Sequence, residues 1–173
     1  MQELVNNLNS YIWSDSLIYF ALGAGLFFSF KTKFVQIRLF REMVRLLVSG
    51  KSSKKGISTF QALSVSLSGR VGTGNIAGVA AAIGFGGPGA VFWMWIEAFL
   101  GASTAYVEST LGQIYKEDSD GQYRGGPAYY IEKAMGQKWY AWIFAFATII
   151  ATGVLLPGVQ ANSIGNAVEL ALG

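Results

Sequence analysis

Residues 70–80 read RVGTGNIAGVA. Within them Gly72, Thr73, Gly74, Asn75, Ile76 and Ala77 match the pattern G-x-G-x-x-[G/A]. The pattern has two physical readings. It is the turn that wraps a dinucleotide pyrophosphate between a buried strand and an amphipathic helix, or it is an interruption of a membrane helix. The neighbours decide. The helix after Gly74 would be NIAGVAAAIGF, which has no charged face to turn to water. Glu97 lies at about the spacing of a ribose-binding acid, but inside another uncharged run. The context of a nucleotide turn is missing, and the motif alone carries little weight.

Composition points the same way. Charged residues make up 13% of the 173 and glycines number 22, whereas ordinary globular chains carry about 25% charge. A water-facing surface cannot be built from so few charges, so lipid is the expected solvent. The chain has no cysteine and no histidine, which excludes disulfides, thiolate metal sites and histidine general bases. No acid/base carboxylate pair or activated nucleophile stands out, so the sequence reads as a binding protein and not an enzyme, with no cofactor and no nucleic-acid partner. Residues 1–16 carry Glu3 and Asp15 without a basic start, so no signal peptide is visible.

A bilayer core takes about 20 apolar residues per helix. The uncharged runs 16–30, 71–96 and 139–168, together with 98–115 broken only by Glu108, predict an all-α integral membrane protein with four spans: 12–31, 58–85, 89–115 and 139–170. The turn GFGGPG at 84–89 separates the second span from the third. The fourth is longer than needed and is expected to tilt or to bend at Pro157. Trp93, Trp95 and Trp139 fall near span ends as interface anchors.

Twelve of the 13 Lys and Arg residues fall in two segments, eight in 31–57 and four in 116–138. With four spans these segments share one side of the membrane. The positive-inside rule makes that side cytoplasmic and leaves the N-terminus outside. Residues 34–50, FVQIRLFREMVRLLVSG, gather Phe34, Ile37, Phe40, Val44 and Leu47 on one face with Arg38, Arg41 and Arg45 beside it. They read as an amphipathic helix on the inner surface or as a plain connector. Residues 124–135 read as a second interfacial helix, with Pro127 in its first turn.

In a membrane the glycines acquire a role. Ser68, Gly69, Gly72, Gly74 and Gly78 crowd the middle of the second span. Counted from Ser58 at about 1.5 Å per residue, residues 72–75 lie about 20 Å in. Glycine leaves a helix readily, and unwound backbone at that depth is tolerated only where it is buried in protein or lines a cavity. Its carbonyls can ligate a cation and its N–H groups can hold a carboxylate. Close packing of small residues in a continuous helix is the alternative, and Gly74 and Gly78 have that spacing.

Three stretches carry a resemblance: SLSGRVGTGNIAGVAAAIGFGGPGAVFWMWIEAFLGASTAYVES (66–109), YRGGPAYYIEKAMG (123–136) and GVLLPGVQANSIG (153–165). Together they resemble the alanine or glycine:cation symporter family. The resemblance covers residues 12–173 and implies sodium-driven uptake of alanine or glycine through the plasma membrane. It also implies the five-plus-five inverted-repeat fold of the bacterial leucine transporter. Span 2 then matches the first, broken core helix, and span 1 is an added helix. Only three core helices are present, so the chain looks like the N-terminal portion of a longer transporter. A channel subunit or a non-transporting membrane scaffold are the rival readings.

By that resemblance the N–H groups of Gly72, Thr73 and Gly74 meet an amino-acid carboxylate, and the Asn75 amide meets substrate or sodium. Carbonyls of Ser68, Gly69 and Val71 are the candidate sodium ligands, since a hard cation prefers oxygen. Asn75 can instead cap the break. On span 4 Gln160 and Ser163 share a face, with Asn162 turned away. Gln160 is a substrate ligand or interhelical hydrogen-bond glue. Glu97 and Glu108 lie 11 residues apart, about 20° past three full helical turns. Both should therefore face the bundle, with Arg70 as a structural ion-pair partner; a proton or ion relay is the alternative.

The topology has a direct test. A cysteine introduced at Ser53 is expected to resist an impermeant maleimide outside intact cells and to react after permeabilisation. Labelling from outside contradicts the orientation.

Overall fold

The computed structural model describes residues 2–49 and 56–172. Residues 50–55 lie outside them, and with them Lys51, Lys54 and Lys55 of the expected cytoplasmic segment and the last residue of the expected amphipathic helix.

The chain opens with α1 (Gln2–Ile12) and α2 (Asp15–Lys31). Asp15 in the first turn of α2 and Lys31 in the last oppose the helix dipole. An elbow ends α2. The Thr32 hydroxyl donates to the Phe28 carbonyl at 2.8 Å, and the Phe34 N–H reaches back to the Ser29 carbonyl at 2.7 Å. Lys33 and Phe34 both take positive φ there, 55° and 51°. Non-glycine residues rarely adopt that region. The expected helix over 34–50 is consequently two pieces, α3 (Val35–Arg38) and α4 (Phe40–Ser49).

The second apolar stretch is divided. α5 (Thr59–Ser68) starts with a capping box in which Ser58 and Gln61 bond reciprocally. The chain then leaves the helix and re-enters it through a π-helical turn, Gly74–Gly78, that continues into α6 (Val79–Gly86). Gly87, at φ 66°, makes the turn into α7 (Gly89–Ile114).

The spans are helical as expected, and a connector adds one further element. Beyond α7 lies a two-stranded antiparallel hairpin, β1 (Glu117–Ser119) and β2 (Gln122–Arg124). Asp120 and Gly121 link the strands with φ of 55° and 76°, the pair of positive angles that a two-residue primed turn demands. Arg124, expected to begin the interfacial helix, is a strand residue. The helix itself, α8 (Pro127–Met135), starts three residues later. Gly126, at φ 117°, is unavailable to a helix, and Pro127 suits its first position.

The last element runs as α9 (Lys138–Ile150), a π-helical turn (Ala151–Leu155) and α10 (Leu156–Leu172). The irregularity expected at Pro157 lies just before it. Proline lacks an N–H and its ring crowds the carbonyl four residues back. The π turn widens the backbone there, with the Leu156 N–H bonded to Ala151 O.

Three of these helical stretches, Glu3–Lys31, Gly89–Ile114 and Lys138–Leu172, are long and apolar enough to cross a membrane. Gly74–Gly86 is apolar but short. The fold is that of a multi-pass membrane protein. Its largest apolar side chains, such as Phe20, Phe85 and Trp142, point outward, where water would not tolerate them as a continuous surface.

α2 and α7 pack through small residues. A Cβ on Gly25 would stand 2.8 Å from that of Leu100. Beside this contact Ser29 and Ser103 are fully buried. Gln36 Nε2 donates to Ser29 Oγ at 3.0 Å, Ser29 Oγ to Ser103 Oγ at 3.1 Å, and the Ser103 hydroxyl lies within reach of the Gly25 and Leu100 carbonyls at 3.0 and 2.8 Å. Such interhelical bonds replace the hydrophobic effect, which vanishes between helices in lipid.

Gly25→Ala should therefore destabilise the protein by about 1–3 kcal/mol through overpacking, read as a lower unfolding temperature in detergent. Gly23→Ala is the control. Nothing lies within 4 Å of a Cβ there, and the helix should gain up to about 1 kcal/mol. Equal behaviour of the two variants would contradict the packing.

Candidate functional site

The site is the interruption between α5 and the π turn. The last bonds of α5 tighten: the Gly69 N–H reaches Val65 O at 3.1 Å, and the Arg70 and Val71 N–H groups share Leu67 O at 3.0 Å each. The next bond down the chain runs from Asn75 N–H to Gly72 O at 3.1 Å. Between them the ladder fails. Among the described residues the carbonyls of Ser68, Gly69 and Val71 accept no hydrogen bond, and the N–H groups of Thr73 and Gly74 donate none. These are the ends of two half-helices, negative at Ser68 and positive at Gly74.

Asn75 has a definite task here. Its Oδ1 accepts the Gly72 N–H at 3.0 Å, an internal cap on the break. Gly72 therefore differs from the expectation. Its N–H is occupied by a side chain of its own segment, whereas those of Thr73 and Gly74 are open. The Asn75 Nδ2 group donates to no partner among the described residues.

Across the break stands α10. A Cβ added to Gly72 would meet Gln160 Nε2 at 3.2 Å, so the absence of a side chain at Gly72 is what lets the Gln160 amide approach the unwound backbone. A cavity of about 550 Å³ joins the two elements. Ser68, Gly69, Arg70, Val71, Gly72, Thr73, Gly74 and Asn75 line one side, and Thr152, Pro157 and Gln160 are on the other. Seven residues read from the second span and the amide read from the fourth thus share one space.

Two lining groups were missed. The Thr73 hydroxyl is buried without a hydrogen-bond partner, an oxygen available to a cation or an ammonium, though sequence reasoning used only its N–H. Thr152 also lines the cavity, its hydroxyl turned back to Thr148 O at 2.7 Å. The signal for Thr152 was its place one turn before Pro157, where the helix must deform. Ser163 does not reach the cavity; its hydroxyl bonds to Val159 O at 3.1 Å within its own helix.

Glu97 and Glu108 lie on the one continuous helix α7 and are both exposed, and Glu97 lines no cavity with Arg70. Glu108 and Arg70 share a second cavity of about 360 Å³ near the hairpin. Among the described residues neither carboxylate is ion-paired with Arg70. The expected structural ion pairing of Arg70, Glu97 and Glu108 is thus not closed among the described residues, although Arg70 and Glu108 line one cavity. Nearby, burial, with Glu108 and Tyr140 adding to it, pushes the Tyr130 phenol above its ordinary value, so it stays neutral at physiological pH.

Comparison with known proteins gives a consistent result. The model of the sodium:alanine symporter family matches residues 1–173. A putative sodium/proton-dependent alanine carrier protein of Bacillus subtilis is 60% identical over 173 residues, all of this chain and 36% of that protein. A probable sodium/glutamine symporter of the same organism is 46% identical over 175 residues, 100% of this chain and 37% of the relative. A sodium/alanine symporter of Methanococcus maripaludis is 40% identical over 174 residues, 96% and 38% respectively. The chain spans about a third of the length of the curated relatives it matches. No solved structure matches it.

The cap is testable on its own. Asn75→Ala should cost about 1 kcal/mol of stability, the usual loss for a helix cap, while Asn75→Asp keeps the acceptor and most of the stability. Thermal unfolding in detergent checks both; a neutral Asn75→Ala would remove the cap.

Proposed function

The chain belongs to the sodium:alanine symporter family, and from that premise we propose that it forms the broken-helix part of a sodium-coupled symporter for alanine or glycine. One observation carries the reading: open carbonyls and open N–H groups of one interrupted helix face a glutamine amide across a single cavity. A zwitterion and a cation need both kinds of group within one site. A channel filter needs carbonyls only, and a scaffold needs neither.

In this reading the amino-acid carboxylate binds the Thr73 and Gly74 N–H groups at the positive end of the second half-helix. Gln160 orients it from α10. Sodium takes the carbonyl oxygens of Ser68, Gly69 and Val71, with Asn75 Oδ1 and the Thr73 hydroxyl completing an all-oxygen set. Asn75 then couples the two ligands. When its Oδ1 turns to sodium it releases the Gly72 N–H, the third donor for the carboxylate. Sodium binding thereby raises amino-acid affinity, and the reverse holds by linkage. Bulkier substrates in the family, suggested by the relative named for glutamine, would need a roomier wall opposite Gln160.

The proposed setting is the plasma membrane, with α5 and α6 together forming a fourth span. The N-terminus is outside, and segments 31–57 and 116–138 are cytoplasmic. The three core spans are the start of a leucine-transporter-like inverted repeat, the geometry that places discontinuous helices at mid-membrane.

The test is uptake of labelled alanine by proteoliposomes of the intact transporter, against both sodium and alanine concentration. Asn75→Ala and Gln160→Ala should each raise the alanine concentration at half-maximal uptake. Losing one hydrogen bond to a charged group costs about 1.5–3 kcal/mol, roughly a 10- to 150-fold loss of affinity. Asn75→Ala should also weaken the sodium dependence and Gln160→Ala should not. Uptake that ignores sodium in the unaltered protein would sink the reading.

A further inference from the structure

The second cavity has a use that the central site does not absorb. It holds about 360 Å³, room for roughly a dozen waters at ~30 Å³ each. Its walls are built. A Cβ on Gly125 would lie 2.8 Å from the Gly112 carbonyl and 3.1 Å from Lys116 Cβ, so the strand leaving the hairpin is pressed against the end of α7. The Lys133 ammonium ties α8 to the same corner, 2.8 Å from Glu117 and 3.2 Å from the Tyr115 carbonyl.

Four charged groups line the space: Arg70, Glu108, Lys116 and Arg124. Two already have company. Lys116 Nζ stands over the Tyr123 ring at 4.2 Å and donates to Gln113 Oε1 at 3.0 Å. Arg124 faces Asp120 at 3.7 Å. Arg70 and Glu108 have no ion-pair partner among the described residues, yet they line one cavity from different elements. Unpaired charges at the edge of a membrane span seek partners. A simple anion would satisfy Arg70 and repel Glu108; a simple cation would do the reverse. A small zwitterion satisfies both. Arg70 also lines the central cavity, so the two cavities share this residue.

We propose that this cavity is a second, weaker amino-acid site on the cytoplasmic side, in which Glu108 takes the ammonium and Arg70 the carboxylate of the departing substrate. Arg124 and Lys116 add positive potential behind the carboxylate. The proposal rests on the central cavity being the transport site and on segment 116–138 facing the cytoplasm.

Equilibrium binding of labelled alanine to the purified intact protein in sodium tests it. The expected result is two sites per chain, one tight and one roughly ten- to hundred-fold weaker. Asn75→Ala should weaken only the tight site. Glu108→Gln should abolish only the weak one, and retention of the tight site shows that this variant is folded. Should Glu108→Gln misfold, the Lys116→Gln, Arg124→Gln double variant should weaken the weak site several-fold. Glycine should compete at the weak site, whereas propionate or ethylamine alone should not. A single site in the unaltered protein, a weak site that survives Glu108→Gln, or displacement by propionate alone would each overturn the proposal. A weak zwitterion site that persists while tight binding ignores both sodium and Asn75→Ala would instead overturn the central reading and leave this one standing.

Discussion

Backbone polarity inside a hydrocarbon layer is the constraint on which this structure depends. Every N–H and C=O must find a partner at that depth, and each one left bare costs several kcal/mol. The protein satisfies nearly all of them with helices. At residues 68–74 it leaves several open among the described residues, and the exception sits in a cavity faced by Gln160. The cost is contained by devices visible in the chain. Ser58 and Gln61 cap the start of α5, Asn75 caps the break from within, and Gly72 lets a side chain from α10 come near. In the proposed function these open groups are the ones that a sodium ion and an amino acid satisfy.

The rest of the molecule holds that exception in place. α2 and α7 are locked by Gly25 against Leu100 and by the chain of bonds from Gln36 through Ser29 to Ser103. α7 carries the hairpin and α8 at its far end, and α8 packs on α9. The π turn at Ala151–Leu155 then adjusts the helix just before Pro157, where α10 meets the cavity. Two deformed helices thus approach each other at their weakest points. Helix irregularities of this kind have identifiable causes, and here they are a glycine cluster and a proline.

Much of this was legible because glycine and charge are blunt signals in a membrane sequence. The crowding of Gly69, Gly72, Gly74 and Gly78 in an uncharged run marks where the helix is interrupted, and Gln160 stands out as an amide in an apolar stretch. The hairpin was read as part of a connector because its strands are only three residues each, although the Asp120-Gly121 pair was there to be used. The Ser29–Ser103 contact was invisible, since small hydroxyl residues in a span look alike until the partner helix is known. The hydrogen bond from Gly72 to Asn75 Oδ1 was one of two roles open to that amide, and only geometry gives it a partner. Helical period puts Glu97 and Glu108 on one side of α7, and the cavity beside the hairpin is lined by Glu108, the one nearer that end of the helix.

The central claim is that the open backbone of the break is the ligand-binding surface. Amide hydrogen exchange of the intact protein, read at residues 72–74 with and without alanine and sodium, tests it most directly. The account predicts that alanine and sodium together slow exchange at Thr73 and Gly74 strongly, that sodium alone exposes the Gly72 amide as Asn75 turns away, and that alanine then protects it. Saturating alanine that leaves all three amides exchanging at their ligand-free rates would contradict the account.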